Sequence, residues 1–167
     1  TDLTEGDLLA KILRMGKVES LYYYIRTTRE LIKLMSVFKQ SQYRYLHLSC
    51  HGNNRLMGLT FNNIPFQDLG SIICPYLDQR RLFVSACAMT NQHLAKVIFK
   101  NSECYSLLGP IHDIPFNDAA IFWASFYHVM FSRNSKAMSR DSILDVAENL
   151  ADIFNLQLNY FGRSKTA

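Results

Sequence analysis

Apolar segments of strand length alternate with helical segments along this chain, and this alternation limits the possible folds more than any other feature. Strand composition is found in residues 19–26, 43–50, 56–61, 81–87, 104–108 and 156–161. Helical periodicity is found in residues 3–15, 28–38, 91–99, 118–131 and 142–154, and residues 65–74 fit a short helix or an irregular turn. Strands and helices in alternation form parallel sheets with right-handed crossovers. We therefore expect an α/β protein, a three-layer α/β/α sandwich with a mainly parallel sheet.

Length and composition favour one domain over residues 1–167, because 167 residues with 49% apolar side chains are enough for one full core. Residues 1–16 are expected to form a short N-terminal helix, capped by Asp2 or Thr4 and stopped by Gly16. Thr27 or Thr28 is expected to cap the next helix. With the flanking strands, that helix would complete a β-α-β unit by residue 50.

Charge and cysteine usage exclude several classes of function. The chain has 18 basic and 14 acidic residues, with nine basic and five acidic in residues 1–60, a bias too small to indicate nucleic acid binding. The most apolar run, residues 119–131, is shorter than the roughly 20 residues that span a bilayer, and no signal peptide is recognisable. The four cysteines show neither CxxC nor metal-ligand spacing. We expect a cytoplasmic protein with no metal, no cofactor and no membrane contact.

A histidine and a cysteine follow two of the apolar strands. His51 and Gly52 come directly after residues 43–50, and Cys87 ends the strand in residues 81–87. If these strands are parallel neighbours, both side chains emerge at one edge of the sheet, where open α/β sheets bind ligands. An imidazole beside a thiol is what thiol nucleophilic catalysis requires. The backbone N–H groups of Gly52 and Cys87 would then be candidate donors to an oxyanion.

A structural interpretation of the same residues stays open. A cysteine at the end of an apolar strand is more often a small buried hydrophobe, and His-Gly after a strand is often only a turn. The other cysteines and histidines lie inside apolar strands, helices or a loop and are assigned structural or surface roles: Cys50, Cys74, Cys104, His47, His93, His112 and His128.

Three stretches of the sequence resemble one family. They are YLHLSCHGNNRLMGLTF, IPFQDLGSIICPYLDQRRLFVSACAMT and LLGPIHDIPFNDAAIFWASFYHVMF. Together they are similar to the CHAT domain, a branch of the caspase-fold cysteine peptidases that includes separases and gingipains. The resemblance covers roughly residues 20–155 and implies a caspase-like sheet. It places the catalytic histidine at His51 and the nucleophile at Cys87, and it implies cleavage of a protein substrate through an acyl-enzyme without a cofactor.

The resemblance also assigns a region to substrate selection. Residues 109–118 correspond to a segment that helps to form the pocket for the residue before the cut. They contain Asp113 and Asp118, and a carboxylate in such a pocket would select Arg or Lys. Asp118 has a second interpretation as the N-cap of the apolar helix that follows, so Asp113 is the preferred candidate. After Cys87 the chain continues Ala88-Met89-Thr90-Asn91, where many relatives have a Thr-Gly type turn.

Three other functions compete with the peptidase. A catalytically idle caspase-fold scaffold or adaptor is the main alternative, although a scaffold has no need to keep both His51 and Cys87. A nucleotide-binding flavodoxin-like or TIR-like domain shares the alternation, but the chain has neither GxGxxG nor GxxxxGK[ST]. A serine hydrolase is disfavoured because GxSxG is missing.

Regulation by a protein partner or by homo-oligomerisation is expected, because an unregulated endopeptidase is hazardous and the chain contains no recognisable sensor domain. Residues 53–56 and 111–117 flank the expected site, and their ordering by a partner would complete it. The helix at residues 28–40 and the N-terminal helix are candidate docking faces, since residues 1–60 hold the basic surplus.

Overall fold

The structure is a computed structural model and describes residues 4–163. Within this range it contains six α-helices: α1 (Glu5–Met15), α2 (Thr28–Gln40), α3 (Phe66–Ile73), α4 (Gln92–Asn101), α5 (Phe116–Arg133) and α6 (Arg140–Phe154). The strands are β1 (Tyr45–Ser49), β2 (His51–Gly52), β3 (Leu56–Gly58), β4 (Asn63–Pro65), β5 (Arg81–Ser85), β6 (Ser106–Pro110) and β7 (Leu158–Gly162). A 3-10 turn at Cys74–Tyr76 follows α3. Mixed α/β structure is therefore confirmed.

The described residues form two compact units. One comprises residues 4–24 with Ile114–Leu158 and contains α1, α5 and α6. The other comprises Ile25–Asp113 with residues 159–163 and contains the sheets and helices α2, α3 and α4. We call them the helical unit and the sheet unit.

The main sheet has four strands in the order β1-β5-β6-β7, and β5 runs parallel to both β1 and β6. Leu82 and Val84 of β5 pack in the apolar core with side chains of α2, α3 and α4. Phe83, which alternation along a strand places on the opposite face, is also fully buried. A parallel strand covered on both faces reads as a continuous apolar run, which is why the segment Arg81–Ser85 is recognisable from sequence.

A second, smaller sheet extends from the end of β1. Strands β2, β3 and β4 are antiparallel, with His51 opposite Gly58 and Met57 opposite Ile64. The loop between β2 and β3 is closed by Asn53, whose side-chain oxygen accepts from the backbone N–H groups of Arg55 and Leu56 at 2.8 and 3.0 Å. The chain thus reverses directly after His51 and Gly52.

Helix α2 begins with a complete capping box. The Thr27 hydroxyl accepts from the N–H of Glu30, and the Glu30 carboxylate accepts from the N–H groups of Thr27 and Arg26. The bond from the Arg26 N–H is the main cause that lowers the pKa of Glu30. Leu31 and Met35, on the opposite side of the helix from the charged residues, are buried in the core. The predicted Thr27 cap is confirmed.

The helical unit is built on the apolar helix α5, which packs against α1 and α6. Trp123, Phe122 and Phe126 are fully buried and stack edge to face within α5. Helix α1 has the predicted caps, with the Thr4 hydroxyl accepting from Asp7 N and with Gly16 at its C-terminus. Residues 1–3 of the predicted N-terminal helix lie outside the described residues.

The strand predicted at residues 19–26 is wrong. This segment has no regular secondary structure and pairs with no strand in the part of the chain that the structure describes. Its aromatic side chain Tyr22 instead packs on Gly6 of α1 and shares a hydrogen bond of 2.7 Å with the Thr4 hydroxyl. One of the three tyrosines that indicated a strand, Tyr22, therefore contacts α1 instead, and the predicted β-α-β unit over residues 19–50 does not form.

The apolar helix α5 raises the question of a membrane span. Within residues 4–163, no helix combines the length and the apolar character needed to cross a bilayer.

Candidate active site

Strands β1 and β5 are paired in parallel, with Ser49 opposite Ser85 at their last paired position. His51 and Cys87 each follow two residues later, so they leave the same edge of the sheet from neighbouring strands. The backbone bond from Cys50 N to Ser85 O, at 3.3 Å, extends the pairing one residue beyond β1. The structure thus brings the two predicted residues to one edge of the main sheet.

Cys87 lies in a tight turn. The thiol is half-buried, between the buried Ala86 and the buried Met89. Ala88, the next residue, has φ +54°, the left-handed conformation that favours glycine over every residue with a Cβ. Within residues 4–163 the N–H of Cys87 donates to no acceptor, so it is free to bind a substrate oxygen.

The His51 side chain is exposed, and its residue starts β2 opposite Gly58. Among the described residues, its imidazole makes no hydrogen bond to the Cys87 thiol or to another partner. Both residues therefore leave one edge of the main sheet, and within residues 4–163 no hydrogen bond joins their side chains.

Gly52 packs closely on the turn that carries Cys87. A Cβ added to Gly52 would lie 2.4 Å from Met89 Sδ. Only glycine at position 52 therefore lets the backbone lie this close to the Met89 side chain. Asn53 N donates to Leu56 O at 3.1 Å across the hairpin, and successive N–H groups along a strand point to opposite sides. The Gly52 N–H consequently points away from β3.

One side chain that sequence reasoning missed connects the loops around the two residues. Asn91 Nδ2 donates to Ala88 O at 3.0 Å and to Asn54 O at 3.2 Å, while its Oδ1 accepts from Leu94 N at 3.0 Å and caps α4. An asparagine just before a helix predicts an N-cap, but no sequence pattern indicates which carbonyls its amide group reaches.

Thr90 and Gly109 form the packing beneath the turn. Thr90 is fully buried, and its backbone oxygen accepts from Asn159 Nδ2 at 2.8 Å. A Cβ added to Gly109 would lie 2.2 Å from Thr90 Oγ1 and 2.4 Å from the backbone oxygen of Val84. Gly109 therefore allows the end of β6 to approach the turn.

The other three cysteines lie in different surroundings. Burial raises the pKa of the Cys74 thiol and that of the Cys104 thiol to about 11 each, which keeps both protonated near neutrality. Their assignment to the core is confirmed. Cys50 is half-buried against the same core, with its Sγ 3.9 Å from Met89 Sδ.

The two candidate specificity residues are placed differently. Asp113 is exposed in the segment after β6, in the sheet unit. Asp118 belongs to the helical unit and is the third residue of α5, whose N-cap is Pro115. The interpretation of Asp118 as an N-cap is thus wrong, because the helix begins two residues earlier than the apolar pattern indicates. Its carboxylate accepts from Asn117 Nδ2 at 2.9 Å.

A metal site and a cavity are the other kinds of site that such a fold can carry. In the part of the chain that the structure describes, no group of three or more His, Cys, Asp or Glu side chains is arranged to hold a metal ion. A cavity of about 270 Å³ lies in the sheet unit and is lined by Gln67, Gly70, Ser71, Cys74, Pro75 and Asn101. Neither His51 nor Cys87 lines it, so this cavity is separate from the candidate dyad.

Compared with known proteins, the sequence matches no family model and no curated protein.

Proposed function

We propose that this chain is a cysteine endopeptidase of the caspase-fold type, similar to the CHAT domain, with a three-layer α/β/α sandwich, and that His51 and Cys87 form its dyad. The observation that carries the proposal is the register of β1 and β5, which sets both residues two positions beyond a directly opposed pair. The free N–H of Cys87 and the close-packed Gly52 support an oxyanion site beside them.

The proposed reaction has two steps. His51 removes the proton from the Cys87 thiol, and the thiolate sulfur forms a bond to the carbonyl carbon of the scissile peptide. The C–N bond breaks, His51 returns the proton to the leaving amine, and a thioester remains on Cys87. Water then attacks the thioester, with His51 as the base, to release the acid and restore the thiol. The N–H groups of Cys87 and Gly52 stabilise the oxyanion in both steps.

The exposed and unbonded imidazole of His51 supports a further part of the proposal, that the isolated chain is poorly active and is switched on by a protein partner or by self-association. Binding that orders the hairpin loop and the segment after β6 would bring the imidazole onto the thiol, a population shift of a few kcal/mol. This site would act on proteins in the cytoplasm. Full activity from a dilute monomer, with no stimulation by any co-expressed partner, would contradict this part.

The same unbonded imidazole also favours the second candidate function, a catalytically idle caspase-fold scaffold. The test has two parts. The purified chain is incubated with a proteome-derived peptide library, and it is also co-expressed with the products of adjacent genes, and cleavage is measured in both. We expect a specific cut that Cys87→Ala and His51→Ala abolish and that the matched control Cys50→Ala keeps. A cut that survives Cys87→Ala would overturn the peptidase, and no cut under any partner condition would favour the scaffold.

Thiol labelling tests the dyad without a substrate. We expect iodoacetamide to modify Cys87 first, because the buried thiols of Cys74 and Cys104 remain protonated. Labelling of Cys50 before Cys87 would contradict the assignment, and so would a Cys87 rate that His51→Ala leaves unchanged. Peptide mapping by mass spectrometry identifies the modified cysteine.

Asp113 remains a proposed specificity residue, with Asp118 as the weaker choice. If Asp113 contacts the residue before the cut, the enzyme prefers Arg or Lys there, and Asp113→Asn loses that preference. Asp118→Asn tests the weaker choice in the same assay, and loss of the preference in Asp118→Asn alone would assign the role to that residue of helix α5. A preference for apolar residues that persists in Asp113→Asn would remove this carboxylate from the site.

A further inference from the structure

Asn91 reaches three segments of the sheet unit with one side chain. Its amide group donates one hydrogen to the Ala88 carbonyl, at 3.0 Å, and the other to the Asn54 carbonyl, at 3.2 Å. Its carbonyl oxygen accepts from Leu94 N at 3.0 Å. Every polar hydrogen of the side chain is therefore used, and the amide is held in one orientation.

The two carbonyl partners belong to the two segments that carry the proposed dyad. Ala88 directly follows Cys87 in the turn, and Asn54 lies in the loop of the hairpin that begins at His51. The amide of Asn91 is thus a direct polar link between the segment that carries the thiol and the segment that carries the imidazole.

We propose that Asn91 is a positioning residue that sets the separation between the His51 hairpin and the Cys87 turn. The inference rests on the proposed function, because it concerns the same dyad. Helix α4 supplies the fixed point: Asn91 N donates to Met89 O at 2.9 Å, and Ala95 N donates to Asn91 O at 3.0 Å, so backbone bonds hold the residue on both sides. Losing the two N–H groups of the amide, with an acceptor for Leu94 N retained, frees the hairpin to move relative to the turn while the helix remains capped.

The variant Asn91→Ser separates these two roles. Serine is an N-cap as good as asparagine, but its hydroxyl is too short to reach both carbonyls. The matched control is Asn101→Ser, at the other end of α4, which removes the bond from Asn101 Nδ2 to Val97 O at 2.7 Å and touches neither loop. Asn91→Asp is a second variant: it keeps the cap acceptor and the shape, and it places a carboxylate oxygen against the two carbonyls.

The measurement is the rate of Cys87 alkylation by iodoacetamide between pH 5.5 and 9, in which the thiolate sulfur displaces iodide. For Asn91→Ser we expect a loss of about tenfold near neutral pH, because alkylation proceeds fastest from the minor population in which the imidazole contacts the thiol, and a displaced hairpin reduces that population. At high pH, where the thiol ionises without help, the loss should vanish. Asn101→Ser should keep the wild-type pH profile. In the His51→Ala background, Asn91→Ser should have no further effect.

Each other outcome contradicts the inference in a distinguishable way. If His51→Ala slows alkylation but Asn91→Ser and Asn91→Asp, both folded by circular dichroism, do not, the dyad stands and the positioning role is wrong. If Asn91→Ser slows alkylation equally with and without His51, the residue acts on Cys87 alone and the link to the hairpin is wrong. If His51→Ala changes nothing, the proposed dyad fails and the positioning role fails with it.

Discussion

Ala88 adopts a left-handed backbone conformation, φ +54°, immediately after the candidate nucleophile. For a residue with a Cβ this conformation costs about 1–2 kcal/mol, which glycine avoids. We expect Ala88→Gly to raise the free energy of unfolding by about 0.5–1 kcal/mol, once the greater freedom of glycine in the unfolded chain is included. Urea denaturation measures the change.

The matched control is Ala86→Gly, two residues earlier, where φ is not positive and the side chain is buried. There the same substitution should lower the stability. A lower stability for Ala88→Gly as well would show that the turn conformation carries no strain.

The buried thiols Cys74 and Cys104 predict an alkaline loss of stability. Burial raises the pKa of each thiol in the folded state from 9.0 to about 11. Between these values the unfolded chain has lost the proton and the folded chain still holds it, so the free energy of unfolding falls as pH rises. Below pH 9 the contribution is fully present. We expect a loss of about 2 kcal/mol for each thiol by pH 11.

Urea titrations at pH 7, 9 and 10.5 measure this slope. Cys104→Ala and Cys74→Ala should each flatten the slope of the wild-type protein by the contribution of one thiol. Identical slopes for all three proteins would contradict the role of burial. Because tyrosines and lysines titrate equally in the three proteins, the difference between slopes isolates the thiol.

At the scale of the elements, the close approach of strand β6 to the turn that carries Cys87 depends on Gly109. An alanine there would place its Cβ 2.4 Å from the backbone oxygen of Val84, which cannot move without disturbing β5. We expect Gly109→Ala to lower the free energy of unfolding by about 3 kcal/mol or more. Gly58→Ala is the control, since the nearest atom to its added Cβ is 3.4 Å away. Equal effects of the two variants in urea denaturation would contradict the close approach.

Most long elements are predictable because burial sets their pattern. Strand β5 is apolar throughout because both faces are covered, and α2 and α6 have an apolar face over several turns. Strand β3 lies within the strand predicted at residues 56–61, whereas β2 and β4 of the same small sheet are only two and three residues long, which is too short for a period of two to be recognised. The segment at residues 19–26 has strand composition without a strand partner, because composition does not reveal which surface an aromatic side chain covers.

The candidate site is predictable in part for the same reason. The last residues of apolar strands mark an edge of the sheet, so the sequence identifies His51 and Cys87 as edge residues. That their strands are parallel neighbours is shown by the structure. The bonds of Asn91 and the backbone angle of Ala88 depend on loops that meet only in the folded chain. Loop geometry of this kind has no periodic sequence signal.

Across the whole molecule, charge is divided unequally between the two units. The described part of the sheet unit has eleven basic and five acidic side chains, whereas that of the helical unit has six basic and eight acidic. A local positive potential raises the encounter rate with anionic partners. The proposed dyad lies in the positive unit, so we expect acidic segments to be favoured around the cleavage site.

This preference should depend on salt. We expect kcat/KM for a peptide with acidic flanks to fall as NaCl rises from about 50 to 300 mM, because screening shortens the range of the attraction. A peptide with neutral flanks should show little change. Arg55→Gln, in the hairpin loop, should weaken the salt dependence, and Lys100→Gln, near the end of α4, is the matched control. Equal salt dependence for both peptides would contradict the prediction.

The opposition of Ser49 and Ser85 also governs how such a chain can diverge in evolution. Parallel neighbours keep their ends together whatever the length of the connection between them, so insertions between β4 and β5 leave the distance from His51 to Cys87 unchanged. One extra residue inside β5 would instead turn every later side chain to the other face of the sheet. Distant homologues should therefore preserve the short spacings from Ser49 to His51 and from Ser85 to Cys87. The number of residues between the two strands should vary freely.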